Sequence, residues 1–462
     1  HAAFLVALGG GMGVATWILT RRRKVSVSDG PVSLDDLLNP ELRERHVQWN
    51  HRLHASASGL LPVAGATNSF VAIGHNLVQL LSQDERLTSN PFEDRRLLAL
   101  NTMGKERHAA VAKVVQRYYQ HREMRRLEPA FWATVKHFAD GAVQNGSFDV
   151  MPWARRVHMA NTLKVLLGDA AAANMHLVDD LVQFNDDMVR LVAPLGGVGR
   201  PCPALFSWNT VRLLRALLAS VPALLALLAR TGLSGLAIVR PDKTLSRSAL
   251  GSGVWHHPEL LPQVPRYFGL LMDLWAATPL REAPSSPLEA LRAAVGRGDV
   301  SLHEALVTVV QLMVNMTSAN ALGNLVMRLC SEPRPDATLE NEDAALEEFV
   351  GEVLRLDAPL QRNPRRALDD LTIAGVSVPR GSQLLLFIGA ANVDPKAFAK
   401  PEAFKPGRLG QPLTFGAGPH YCLGAYLVKA EMREALRFLL GRFTSFRLEA
   451  CERVRNVDVG NY

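Results

Sequence analysis

Among the four cysteines of this chain, Cys422 stands where sulfur chemistry is expected. It lies in the run Phe415-Gly416-Ala417-Gly418-Pro419-His420-Tyr421-Cys422-Leu423-Gly424, a glycine-rich turn directly ahead of a predicted helix. At a helix N-terminus the positive end of the dipole and unpaired backbone N–H groups lower a thiol's pKa, so the sulfur is expected to be anionic. An anionic sulfur binds a metal or acts as a nucleophile. Glycines at 416, 418 and 424 favour the metal, because positions without side chains let backbone approach a large flat ligand. The bland alternative for a lone cysteine is a small buried hydrophobe. Cys202, Cys330 and Cys451 form no metal-ligand spacing with Cys422 or with one another, and four scattered cysteines do not make a disulfide framework.

The elements that must position this sulfur are legible in part. Leu423, Tyr426, Leu427 and Ala430, then Leu436, Leu439, Leu440 and Phe443, repeat at helical spacing. Upstream, Leu346, Phe349, Val350 and Val353 mark another helix face, on which Glu352 and Arg355 lie three apart and so side by side. Taken alone, such a pair is an exposed ion pair of little worth. Residues 371–378 alternate as a strand, Pro379-Arg380-Gly381 turns, and residues 383–388 form an apolar run of strand length. Residues 196–203, rich in Gly and Pro, and residues 279–287, rich in Pro, read as loops. The remainder reads as helix, so the expected class is mainly α with a small β region.

A length of 462 residues with 48% hydrophobic content supports a large core, and no composition break divides it. The net charge of +7 and pI near 9.4 suit anionic lipid or an acidic protein partner. Nucleic acid is not expected, since no nucleic-acid motif accompanies the charge and aromatics are sparse. Residues 1–20 carry no acidic or strongly basic side chain and are followed by Arg21-Arg22-Arg23-Lys24, the pattern of a membrane anchor with its basic flank on the cytoplasmic side. A cleaved signal peptide competes with that reading, although the basic cluster follows the apolar run instead of preceding it. The expected organisation is therefore an anchor with basic flank over residues 1–24 and a single catalytic domain over 25–462. Residues 213–228, dense in leucine and alanine, read either as a core helix pair or as a patch dipping into the bilayer.

The string from Phe415 to Gly424 resembles the heme-thiolate signature of the cytochrome P-450 family, meeting its pattern Phe-Gly-x-Gly-x-His-x-Cys-x-Gly at every fixed position. The signature is bacterial-like, and the resemblance spans roughly residues 30–445. It implies the family's fold, with a long central helix over heme b and the cysteine-ligand loop beneath it, and Cys422 as axial ligand of the heme iron. It also implies that Glu352 and Arg355, with Arg408 in Pro406-Gly407-Arg408, form a buried structural charge network. The Phe usual after that arginine is Leu409 here. By the same resemblance His108, His420 and Arg365 are expected at the heme propionates, with Arg366 as an alternative to Arg365 and Lys113 beside the place, Ala112, where a second helix-borne cation is usual. Phe415, Gly416 and Gly424 complete the cofactor-binding set. The string Ala391-Asn392-Val393-Asp394-Pro395 belongs to the segment that leads to the cysteine.

One segment departs from the pattern. Aligning Thr317-Ser318-Ala319-Asn320 with the family's central-helix run puts Thr317 at the alcohol over the iron, but Met316 at the acid and Met313 and Val314 at the small residues. A thioether cannot relay a proton. Asn315, water or the substrate could substitute. Met313, Val314, Met316 and Leu360 are expected to line an apolar substrate pocket. The resemblance thus implies a monooxygenase acting on a hydrophobic small molecule, anchored with its catalytic domain on the cytoplasmic side, with electrons from a separate ferredoxin or flavoprotein reductase. The alternatives are a heme-thiolate isomerase, dehydratase or peroxygenase needing no reductase, and a non-catalytic heme-binding protein.

Overall fold

The computed structural model describes residues 32, 46–56, 59–89, 103, 105–143, 147–192, 260, 262–313, 316–332 and 342–449, with positions 215, 216, 219, 220, 222 and 225. The expected anchor over residues 1–24, the loop at 196–203, most of the leucine-rich run at 213–228, Val314 and Asn315 lie outside the described residues.

In chain order the elements are α1 (His46–Ser56), β1 (Leu60–Pro62), β2 (Ser69–Ala72), α2 (His75–Gln83), β3 (Leu87–Thr88), α3 (Lys105–Val115), α4 (His121–Ala142), α5 (Val150–Leu167) and α6 (Val178–Val192). Next come α7 (Gln263–Ala277), α8 (Pro287–Arg297), α9 (Leu302–Met313), α10 (Met316–Ser331), α11 (Asp343–Leu356) and β4 (Arg362–Ala367). The chain then passes through β5 (Leu371–Ile373), β6 (Val376–Val378), β7 (Gln383–Phe387), α12 (Ile388–Asn392) and α13 (Ala425–Arg442). The class is mainly α with small sheets.

The strand region at 371–388 is present, but its two parts belong to different sheets. Residues 371–378 close an antiparallel hairpin, Leu371 opposite Val378. The apolar run Gln383–Phe387 instead becomes the centre of a five-stranded sheet ordered β1-β2-β7-β4-β3, parallel to β2 and antiparallel to β4. Four of that sheet's strands have no clear sequence signal. β4 reads Arg-Asn-Pro-Arg-Arg-Ala, and a proline inside a run argues against a central strand. It forms because β7 supplies an apolar partner surface on one flank, with Pro364 opposite Leu385.

Two apolar cores carry the helical body. In one, Val157, Ala154 and Trp153 of α5 pack against Ala319, Leu322 and Leu325 of α10, Phe349 and Val353 of α11, and Met432 and Leu436 of α13. In the other, Ala160, Leu163 and Leu166 of α5 pack against Ala305, Val309 and Met313 of α9 and Tyr267 and Leu271 of α7. Helix α5 is thus buried on nearly every side, which erases the one-faced stripe that would reveal it in sequence. Residues 302–331 are the one stretch among the described residues long and apolar enough to cross a membrane, yet 67% of its most apolar window is buried inside the fold. It is a core element.

Candidate functional site

The cysteine loop is shaped by its backbone. Gly416 and Gly418 adopt φ of 73° and 75°, a region that a side chain makes costly, so glycine is needed at both. The amide of Cys422 donates to the carbonyl of Phe415 at 2.9 Å, closing the loop around the intervening residues. The N-cap of α13 is Gly424, with the first helical residue at Ala425, so Cys422 sits just ahead of the helix as its sequence implied. Its acidity is corrected, however. Burial pushes the Cys422 thiol up from its ordinary value, and the amide of Gly424 opposes this only in part. Desolvation of the anion outweighs the helix dipole here. Burial thus favours the neutral thiol, and a bound cation would favour the thiolate.

Behind the loop stands a bracing network. Glu352 and Arg355 meet through two parallel hydrogen bonds of 2.7 and 2.8 Å, and both are almost fully buried. Arg355 also donates to the carbonyls of Asn392 at 2.8 Å and Pro401 at 2.9 Å, while its guanidinium lies 5.2 Å from the ring of Phe398. Arg408 completes the triad by donating to Glu352 Oε1 at 2.9 Å. Two residues that the sequence did not single out for a role tie this network to the loop. Asn392 accepts from the amide of Leu413 at 2.7 Å and donates to Thr414 Oγ1 at 3.0 Å, and Thr414 in turn donates to the carbonyl of Leu354 at 2.7 Å. Asn392 lies within the Ala391 to Pro395 string, which was its available signal. Leu409 is 95% exposed, so the departure from Phe there removes no core contact.

Three cation-capable groups converge beside the loop. His108 on α3 and His420 lie with ring centroids 4.4 Å apart. Arg365 on β4 is buried, donating to Asn363 Oδ1 at 2.8 Å and the carbonyl of Pro364 at 2.9 Å. Burial pushes Arg365 down to about 10. His420 falls to about 4 through burial, then through the charges of His108 and Arg365, and its Nδ1 is buried without a partner. Burial likewise lowers His108. Among the described residues no carboxylate pairs with any of these three. A buried site of two histidines and an arginine lacking a counter-ion fits a ligand that brings its own negative charge. Among the described residues there is also no cluster of three or more His, Cys, Asp or Glu able to cage a bare ion. Together with the single thiol, the donor set fits a metal carried inside an anionic organic cofactor.

The other sequence-expected residues are placed as follows. Phe415 is partly buried against the second-half helical core, with Lys429 Nζ 5.5 Å from its ring centre. Gly424 has an ordinary φ of −82°, and a Cβ there would stand 4.0 Å from Cys422 Sγ. Lys113 is exposed on α3, whereas Ala112 beside it is partly buried. Thr317 is half-buried in the first turn of α10, directly after Met316. Leu360 is half-buried just before β4. Met313 is fully buried in the core with Val309 and Leu163.

The family profile described as Cytochrome P450 matches residues 344–458. A putative cytochrome P450 133B2 of Xylella fastidiosa is 34% identical over 200 residues, covering 42% of this chain and 48% of that one. The biotin biosynthesis cytochrome P450 of Bacillus subtilis is 32% identical over 210 residues, covering 45% and 51%. The chain spans about half the length of these curated relatives. The crystal structure of CYP164A2 from Mycobacterium smegmatis superposes with a TM-score of 0.68 at 23% identity, covering 92% of this chain and 96% of that one. Likeness at that identity establishes the fold, and the heme b of this family, held through a cysteine thiolate, is the cofactor that the loop and its cation cluster fit. Residues 344–458, with the signature and the charge triad, match the cytochrome P450 family, and the described fold is similar to that family's.

Proposed function

We propose that this protein is a heme-thiolate monooxygenase that inserts one oxygen atom from O2 into a hydrophobic small molecule, with electrons from a separate ferredoxin or flavoprotein reductase. The observation that carries the reading is the placement of Cys422 beside His108, Arg365 and His420, donor groups that no carboxylate pairs with among the described residues. Cys422 would hold the heme iron, and Arg365 with the ring N–H groups of His108 and His420 would hold the propionates. The heme supplies the oxygen-activating redox chemistry when bound. The chain's own residues supply position and protons. The loop's glycines admit the macrocycle, and the Glu352–Arg355–Arg408 triad keeps the loop in place. Thr317 offers a hydroxyl that donates and accepts, and Leu360 with Met313, Val314 and Met316 would give the substrate side its apolar character.

A hydrophobic substrate class is supported by two neighbours of the same fold. One is P450BioI in complex with an acyl carrier protein ligated to hexadec-9Z-enoic acid. The other is CYP109E1 of Bacillus megaterium in complex with testosterone. The excess positive charge of this chain suits an acidic electron donor. Residues 1–24 would anchor the protein, with the catalytic domain on the cytoplasmic side. The absence of an acid at Met316 motivates the second reading, a peroxygenase, isomerase or dehydratase independent of a reductase.

The test begins with the carbonyl difference spectrum of the reduced, heme-loaded protein. The wild type is expected to show the thiolate band and Cys422→Ala to lose it; a normal band in Cys422→Ala would sink the proposal. Product formation with a ferredoxin and its reductase, compared with product formation from a hydroperoxide alone, separates the two readings.

A further inference from the structure

Thr317, Asn324 and Arg328 lie on one face of α10, because steps of seven and then four residues return to the same side of a helix. Seven residues of helix put Asn324 about 10 Å along the axis from Thr317. Asn324 and Arg328 grip the turn that follows α11. Asn324 Nδ2 donates to the carbonyl of Asp357 at 2.6 Å, and Arg328 donates to both carboxylate oxygens of Asp357, with Nη2 3.0 Å from Oδ1. Arg328 also donates to Glu332 at 2.9 Å, and its guanidinium lies 5.6 Å from the ring of Phe404. Asn324 and Asp357 are almost fully buried, so water does not compete for these bonds, and the two-pronged arginine contact fixes orientation as well as distance.

The far end of the same turn is held from the other direction. Gln361 Nε2 donates to the carbonyl of Ala358 at 2.6 Å, Asn50 Nδ2 of α1 donates to Gln361 Oε1 at 3.3 Å, and the amide of Gly389 in α12 donates to the carbonyl of Gln361 at 3.2 Å. A Cβ at position 389 would overlap Gln361 Oε1 and stand 2.6 Å from Asn50 Nδ2, so glycine there leaves room for the contact. Between the two grips sits Leu360. It is half-buried, whereas Ala358 and Pro359 before it are buried, and it packs in none of the apolar cores of the described residues. A large apolar side chain held in place but outside every core is free to meet an apolar ligand.

Resting on the monooxygenase reading, which sets both Thr317 and Leu360 on the substrate side, we infer that the Asn324–Arg328–Asp357 clamp fixes the separation between them and so decides how large a substrate fits. Three residues of chain, at most about 11 Å, run from Asp357 to Leu360. The tie from hydroxyl to apolar wall is therefore short, with a helix on one side and a turn gripped at both ends on the other. Leu360 is the specificity-determining contact. Asn324, Arg328 and Asp357 are positioning residues that act through it.

The test uses the ferric, heme-loaded protein with imidazole and 4-phenylimidazole as probes, their binding read from the absorbance change of a nitrogen-ligated heme. Imidazole is too small to reach the wall, whereas the phenyl group extends from the iron into the substrate side. Leu360→Phe is made in the wild type and in the Asp357→Asn and Asn324→Ala backgrounds, giving two double-mutant cycles. Arg328 keeps Glu332 in Asp357→Asn, and Asn324→Ala touches no charge, so neither background strands a buried ion. In the wild type, Leu360→Phe is expected to weaken 4-phenylimidazole about tenfold, the scale of an overpacked apolar contact, and to change imidazole by less than about twofold. In the clamp variants the same replacement is expected to cost about threefold or less, because a loosened turn lets the larger ring swing aside. A clamp that serves stability alone lowers the melting temperature and leaves the Leu360→Phe penalty at its wild-type size. That undiminished penalty in both backgrounds overturns the inference, as does a Leu360→Phe that leaves 4-phenylimidazole binding unchanged. Wild-type protein without a thiolate carbonyl band overturns the monooxygenase reading itself, and the clamp's role with it.

Discussion

Arg365 and Arg355 are both buried guanidinium groups, yet they have opposite energetic meanings. Arg355 is met by Glu352 through two hydrogen bonds and by two backbone carbonyls, so its charge is compensated on every side. Breaking such a pair by removing one partner leaves a bare buried charge and costs about 3–5 kcal/mol. Arg355→Lys cannot make the planar two-pronged contact, so it is expected to melt several degrees lower and to yield little heme-loaded protein, as measured by thermal unfolding and by heme absorbance per chain. Arg365 has two neutral acceptors and no carboxylate, and burial pulls it down to about 10. That lowering corresponds to about 3 kcal/mol of unfavourable charge burial in the ligand-free protein. Arg365→Met should therefore raise the melting temperature of the heme-free protein while speeding heme loss to an acceptor protein. A parallel fall of both quantities would show that Arg365 is a structural residue with no part in holding an anion.

At the scale of elements, α3 carries His108 to the site, and a surface pair fixes that helix to α9. Arg107 donates to both oxygens of Glu304 at 2.7 and 2.6 Å, and Glu304 also accepts from the amide of Ser301 at 2.9 Å. The Arg107 hydrogen bonds hold Glu304 down to about 2 from an ordinary 4.5. Because the folded value is depressed, the stabilisation is complete above about pH 4.5 and is lost as pH falls toward 2. Arg107 is half exposed, so solvent screening limits the pair to about 1 kcal/mol or less. Arg107→Gln is expected to lower the melting temperature slightly at neutral pH and to match the wild type near pH 2, which unfolding scans across that range would measure. How legible an element was in sequence follows from its surroundings. Helix α11 declares itself by period, α13 by leucines at helical spacing even though it is buried over most of its length, and the β5–β6 hairpin by alternation. Helix α5 was read as helix only with the bulk of the chain, because burial on most sides leaves it no single apolar stripe, whereas strand β4 stayed hidden because its arginines and proline are stabilised by pairing with β7. The site was legible as a motif, since Cys422, Glu352, Arg355 and Arg408 occur in fixed strings. The acidity of Cys422 was not, because desolvation depends on neighbours that sequence order does not reveal.

For the whole molecule, apolar length alone does not separate a membrane contact from a core. Residues 302–331 pass the length and hydropathy test for a span, but packing between α5, α11 and α13 accounts for their character. Residues 1–20 have the same kind of composition and differ by being followed at once by Arg21, Arg22, Arg23 and Lys24. Two forces would then bind this end to a bilayer, insertion of the apolar run and attraction of the basic flank to anionic lipid. Salt distinguishes them, because at 1 M the screening length falls to about 3 Å while apolar insertion is undiminished. The full chain, expressed in a bacterial host, is expected to sediment with membranes and to remain there after a high-salt wash. A variant lacking residues 1–24 is expected in the soluble fraction with an unaltered thiolate carbonyl spectrum, since the cysteine loop and the Glu352–Arg355–Arg408 triad that braces it lie far from those residues in the chain. Release of the full chain by salt would assign the attachment to the basic flank and the net charge of +7, and a soluble full chain would remove the anchor altogether.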